Sequence, residues 1–137
     1  MKYVLDTNAL SALMAGVPSV VDRLARVRRE SVGIPQPAFA EIAYGISRLP
    51  VSRRRSALQA RFDLLRGELS RVDWTDAVTD AFGQIKAVLE KRGRRIEDFD
   101  AAIAAHAVAN DATLVTANLK QMTGVPGLPI EDWQSPS

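Results

Sequence analysis

Apolar and polar positions along this chain fall into blocks of differing period. Residues 2–5, rich in Tyr, Val and Leu, read as a short buried strand. Residues 8–15 read as a helix stopped by Gly16 and Pro18. Over 19–29, Val20, Val21, Leu24 and Val27 recur at helical spacing and are expected inward. Arg23, Arg26, Arg28 and Arg29 fall largely on the other side. "SVGIP" at 31–35 predicts a second strand, ended by Pro35. "PAFAEIAYGISRL" at 37–49 predicts a helix with Pro37 in its first turn and Pro50 beyond its end.

A long helix is expected over 52–70, with Leu58, Phe62, Leu65 and Leu69 on one stripe. Another is expected over 75–92, with Ala81, Ile85, Val88 and Leu89 inward and Gly93 as its C-cap. The stretch 98–110 predicts a nearly all-apolar helix. "TLVT" at 113–116 predicts a third strand and "LPIEDW" at 128–133 a last short one. Strands alternating with helices imply a parallel sheet between helical layers, an α/β fold. No repeat or linker interrupts it, so one domain is expected over 1–133 with a loose tail at 134–137.

Composition sharpens this picture. The 137 residues are 47% hydrophobic and 25% charged, the balance of one globular domain. No apolar run approaches the roughly 20 residues of a membrane span, and Asp6 interrupts the N-terminal one. The expectation is a cytoplasmic protein with no membrane partner. Cys is absent and His106 is the single histidine. A thiol nucleophile and a Cys/His zinc site are excluded, so any metal must be a hard cation held by oxygen, Mg²⁺ or Mn²⁺. Net charge is +2, and of 18 basic residues 14 are Arg. That bias reflects either genome composition or the planar fork that suits phosphate.

Three acids stand out. Asp6 ends the first strand, where open α/β sheets place their ligands. It serves there as a functional carboxylate, with Asn8 as a tether, or as a helix cap formed by Asp6 or Thr7. Glu41 has small or apolar neighbours at Pro37, Ala38, Ile42 and Gly45, a costly setting for an unpaired charge. Gly45 suggests close approach of another backbone, or a tolerated defect. Asp100 opens an apolar helix whose core face lies below it. Glu97 and Asp98 are nearby substitutes, and Asp98 is expected to be the N-cap. Thr116 and Asn118, at the end of "TLVTAN", reach the same mouth as Asp6. Converging carboxylates repel and raise one another's pKa, a penalty that a dication removes. His106, paired by spacing with Asn110, is expected to be a half-exposed surface residue.

In this order and spacing the segments resemble the PIN-domain ribonucleases, and among them the VapC toxins of toxin–antitoxin pairs, in particular the FitB-like branch. "YVLDTNALSALM" is similar to the family's opening strand and first acid. "IPQPAFAEIAYGISRLP" is similar to its Pro-then-Glu helix. "DFDAAIAAHAVANDATLVTAN" is similar to its third acid, Ala-rich helix and last core strand, and "GLPIEDW" to its C-terminal signature. The resemblance spans essentially the whole chain. It implies a PIN-like three-layer sandwich with a short, mostly parallel central sheet. The implied metal-binding and catalytic acids fall on Asp6, Glu41 and Asp100, supported by Thr7, Asn8, Thr116 and Asn118. The chain departs from the pattern at Asn118 and Gln121, where acids are common, and at Met122, where an aromatic is common.

The implied activity is Mg²⁺- or Mn²⁺-dependent endonucleolytic cleavage of RNA by a toxin. The resemblance also implies a cognate antitoxin that fills the site groove, and a homodimer. Asp6 and Asp100 would ligate, while Glu41 ligates or orients the attacking water. "SRRRS" and "KRGRR" supply Arg53, Arg54, Arg55, Arg92, Arg94 and Arg95 as candidates to hold the RNA backbone. Two other readings compete. A phosphatase of the haloacid dehalogenase type wants a second Asp where Asn8 stands. A non-catalytic PIN-like RNA- or protein-binding module would be expected to have lost one of the three acids.

Overall fold

The computed structural model describes residues 1–135. Five strands form one sheet: β1 (Tyr3–Leu5), β2 (Val32–Pro35), β3 (Ser70–Val72), β4 (Thr113–Val115) and β5 (Ile130–Glu131). Their order is β3-β2-β1-β4-β5 and every pairing is parallel. Parallel strands need crossovers, and seven helices supply them. These are α1 (Thr7–Met14), α2 (Pro18–Arg26), α3 (Gln36–Ser47), α4 (Arg53–Glu68), α5 (Asp76–Lys91), α6 (Asp98–Ala109) and α7 (Leu119–Met122), with a 3₁₀ turn at Arg29–Ser31. The result is the α/β, PIN-like arrangement expected of the chain, a short parallel sheet flanked by helices.

From β1 the chain moves outward to β2 and β3. It then returns past β1 to place β4 on the other side. The order therefore reverses between β1 and β4, the point where such sheets open a crevice at their carboxyl ends. Central strands β1 and β2 are buried along their length, as a sheet covered on both faces requires. α6 is buried all round from Ala101 to Ala107, which explains a helix that is apolar on every side.

Several expectations need correction. The stripe over 52–70 ran one element too far: α4 ends at Glu68, and Leu69 is buried at its extended C-cap. The next three residues pair with β2 as an edge strand that their own pattern does not announce. Only Val72 of β3 is buried. Val21 is exposed and Val27 half-buried, because α2 stops at Arg26 and turns only Val20 and Leu24 inward.

Two glycines have different reasons. Gly33 is compelled: a Cβ there would lie 2.6 Å from Cγ2 of Val72 and 2.8 Å from Cε of Met1. Gly45 has nothing within 4 Å of a built Cβ, so no backbone approaches it. It is a tolerated helix glycine on the wall of an open cleft.

The C-terminal signature closes the sheet edge. Trp133 is buried, meets Tyr3 edge-on at 5.3 Å and donates its indole N–H to Glu131 at 3.1 Å. Glu131 in turn pairs with Arg23 of α2 at 2.7 Å. Of the tail expected at 134–137, Gln134 accepts a hydrogen bond from Ser19 through its carbonyl. Ser135 donates its hydroxyl to Asp132. Residues 136–137 lie outside the described residues.

Candidate metal centre

β1 ends at Leu5, and the next residue is the first acid. Asp6 is buried and has extended backbone. Its Oδ1 accepts the Ala9 N–H at 2.8 Å, which caps α1. The cap and functional readings of this residue are thus compatible, because a carboxylate has acceptor capacity beyond one bond. Asp6 also anchors the crevice itself: its N–H bonds the Val115 carbonyl of β4 at 3.1 Å.

Glu41 projects, half-buried, from the second turn of α3. The hydroxyl of Thr7 donates to its Oε1, tying α1 to α3. Asp100 lies half-buried in the first turn of α6. Thr116, just past β4, is buried and hydrogen-bonds the Asp6 side chain, while its Oγ1 accepts the Asn118 N–H at 2.9 Å.

The charge of Glu41 reaches both of the other acids. Burial pushes the Asp6 carboxyl above its ordinary range and the charge of Glu41 adds to this. The Thr116 hydroxyl and the N–H groups of Ala9 and Asn8 partly offset both. Asp100 is also raised, first by burial, then by the charges of Glu41, Asp6 and Glu97. Buried carboxylates that repel each other and have no cationic side chain bonded to them suit a hard cation. Among the described residues, no three His, Asp or Glu side chains form a ready-made metal cage. An open, oxygen-only donor set of this kind fits an ion that keeps several of its waters.

Other expected participants are placed differently. Asn8 is exposed and reaches Asp6 through its backbone N–H rather than through its amide. Glu97 is the N-cap position of α6, without a side-chain cap bond. Asp98 is its first helical residue, exposed and bound to Lys86. The expectation that Asp98 caps the helix is therefore corrected: Lys86 across the α5–α6 contact holds its carboxylate. Asn118 donates its amide to Gln121 at 2.7 Å.

His106 is fully buried, not a surface residue. Its Nδ1 bonds the Ala102 carbonyl at 2.6 Å, and Trp74 meets its ring edge-on at 5.2 Å. Asn110 bonds the His106 backbone carbonyl rather than the ring. The sequence shows the Ala-rich helix but not its depth in the fold.

The arginines divide. Arg55 donates to the Leu49 carbonyl, Arg92 to Gly124 and Arg94 to Lys120, so the first two also brace turns and the third braces α7. Arg54 and Glu41 share a cleft of about 410 Å³ with Arg48 and the apolar Met14, Ile42 and Leu58. Arg95 opens onto a second cleft. Sequence reading passed over Trp74 and Phe99, each 47% exposed. With Pro37, Ala40 and Phe82 they line a largely apolar pocket that Asp98 also borders. Their signal was faint: single aromatics, each adjacent to an acid.

A five-stranded parallel sheet with a carboxylate, Asp6, at its switch point defines a class, and comparison with known proteins agrees. Residues 3–122 match the PIN domain family model, and the chain belongs to that family. It is 32% identical to ribonuclease VapC2 of Rickettsia felis, over 97% of this chain and 98% of that one. It is 30% identical to the tRNA(fMet)-specific endonuclease VapC of Shigella flexneri, with the same coverage. The fold superposes on the Rickettsia felis VapBC2 structure, solved bound to a DNA fragment from its promoter. That match has a TM-score of 0.86 at 31% identity and covers 97% of this chain and 99% of that one.

Proposed function

We propose that this protein is the endoribonuclease toxin of a toxin–antitoxin pair. On this reading it hydrolyses RNA phosphodiester bonds at Asp6, Glu41 and Asp100 with Mg²⁺ or Mn²⁺. The observation that carries the reading is the hydrogen bond from Thr7, next to Asp6 at the sheet mouth, to Glu41, in a chain that belongs to the PIN domain family. Asp6 and Asp100 would hold the ion, and Glu41 would hold or orient the attacking water. When bound, the ion supplies a water of lowered pKa and neutralises charge on the phosphate.

The chain's own groups do the rest. Thr7 fixes Glu41 through Oε1, which leaves its other oxygen to ligate or to accept a hydrogen bond from the attacking water. Thr116 and the Ala9 N–H hold Asp6 in place. His106 bonds within its own helix and is fully buried, so no imidazole serves as base. Arg53, Arg54 and Arg55 on α4, with Arg92, Arg94 and Arg95 after α5, would hold the RNA backbone, which gives affinity but not sequence choice.

A protein antitoxin and a second copy of the chain are the proposed partners. Tyr44, Val51 and Leu64 leave α3, the α3–α4 turn and α4 with exposed apolar groups that such partners would cover. Among the described residues no helix is long and apolar enough to cross a membrane, and we infer action in the cytoplasm. The test is cleavage of purified RNA with Mg²⁺, with EDTA and by Asp6→Asn. Cleavage that survives EDTA or this substitution would refute the assignment.

A further inference from the structure

A second cleft, of about 330 Å³, opens between the α5–α6 turn and α7. It is lined by Leu89, Arg94, Arg95, Asn118, Lys120 and Gln121. Three cations and two amides face it, with no carboxylate. Among the described residues, none of the three cations has a carboxylate partner within 4 Å. Like charges held together without a counter-charge await an anion.

The cleft is built rather than incidental. Arg94 donates to the Lys120 carbonyl at 2.9 Å and lies flat over Gly124, where a Cβ would sit 2.9 Å from Nη1. Its guanidinium is thereby oriented in advance, with donors to spare. Gly93, at φ +69°, ends α5 and turns Arg94 and Arg95 toward α7. The Asn118 amide is braced on Gln121, and its N–H bonds Thr116, which bonds Asp6. A short chain of hydrogen bonds therefore links the cleft to the first acid.

We propose that this cleft seats a backbone phosphate of the RNA, one flanking the scissile bond. Arg95 and Lys120 contribute charge, and Arg94 and the Gln121 amide contribute directed donors. The proposal rests on the ribonuclease reading above and adds Lys120 and Gln121 to the RNA contact set. It also separates Arg95, which faces the cleft, from Arg92, which is not among its lining residues.

The test uses the full chain, freed of any antitoxin, and a fluorescein-labelled, mixed-sequence single-stranded RNA. Binding is measured in EDTA between 50 and 200 mM KCl, and cleavage is measured separately with Mg²⁺. Arg95 and Lys120 are exposed, so their substitution to Ala should leave the fold intact by circular dichroism. Arg95→Ala and Lys120→Ala should each flatten the log–log salt slope by part of the roughly 0.7 that one phosphate contact on a single strand supplies, and the double variant by most of it. In cleavage, KM should rise several-fold with kcat nearly unchanged. Gly124→Ala keeps the charge but displaces Arg94, and should weaken binding without changing the slope. A wild-type slope and KM in both Ala variants would overturn the seat while leaving the nuclease intact. Unchanged RNA binding with weakened antitoxin binding would overturn it in favour of a protein contact. A wild-type chain that neither binds nor cuts RNA would overturn both readings.

Discussion

Thr7 and Glu41 stand 34 residues apart and share one hydrogen bond, from the Thr7 hydroxyl to Oε1. The bond joins the first turn of α1 to α3 across the mouth of the sheet, and it fixes which way the Glu41 carboxylate presents its free oxygen. Thr7→Val keeps the shape and removes the donor. Cleavage should fall on the order of 10–100-fold, the usual loss for a group that orients a metal-site ligand. Thr7→Ser should restore most of it. Equal activity in the Val and Ser variants, measured by single-turnover cleavage, would mean the bond does not position Glu41.

Asp6 carries two jobs that substitution can separate. Asp6→Asn keeps an oxygen to accept the Ala9 N–H and should fold normally while losing cleavage. Asp6→Ala loses the cap as well, and should be less stable than Asp6→Asn by about 1 kcal/mol. Urea denaturation of the pair reads the difference. If both variants unfold at the same urea concentration, the cap contributes nothing.

Asp100 and Asp6 both sit above the ordinary carboxylate range when folded. The folded chain therefore holds protons that the unfolded chain has released. The stability this confers is complete below the unfolded value of 3.8 and is lost as pH rises through the raised folded values. At neutral pH the two charges oppose folding. Asp100→Asn should raise Tm by a few degrees at pH 7 and change it little near pH 3. Mg²⁺ at millimolar concentration should raise the wild-type Tm, and raise that of Asp100→Asn less. Scanning fluorimetry across pH, with and without the ion, checks both statements.

His106 works in the opposite sense. Burial holds its imidazole below the ordinary 6.5 despite the Ala102 bond, so protonation is resisted in the fold. Stability from this group is present above 6.5 and drains away as pH falls from there through the lower folded value. Tm should therefore drop between pH 7 and pH 5, and His106→Leu should reduce that drop. A drop of the same size in the Leu variant would assign it to other groups.

Gly33 is the tightest point between β2 and β3. Gly33→Ala forces a methyl against Val72 and Met1, and overpacking of this kind should cost roughly 1–3 kcal/mol. Val72→Ala in the same chain should recover part of the loss by opening space. Additive losses in the double variant would contradict the close contact.

Sequence reading was accurate where a property belongs to near neighbours. α3 and α5 were legible because helical period and capping residues such as Gly93 lie within a few positions of each other, and α6 because its apolar run is too long for a strand. The oxygen-only donor set was legible from composition alone, since a chain without Cys and with one His offers little else. β3 was not legible, because three residues with one inward side chain become a strand only when β2 offers its edge. Nor was the depth of His106, whose cover comes from Trp74 on another segment.

What the sequence by itself determined is the order of elements and the chemistry available: a parallel α/β domain with Asp6 at a strand end and acids at Glu41 and Asp100. Only the tertiary structure decided that Thr7 binds Glu41, that Asp98 turns to Lys86, and that Arg94 lies across Gly124. The reason is physical. Periodicity is set by bonds along the chain. These pairings depend on distances through space between residues tens of positions apart, and the packed sheet and helices settle those distances together.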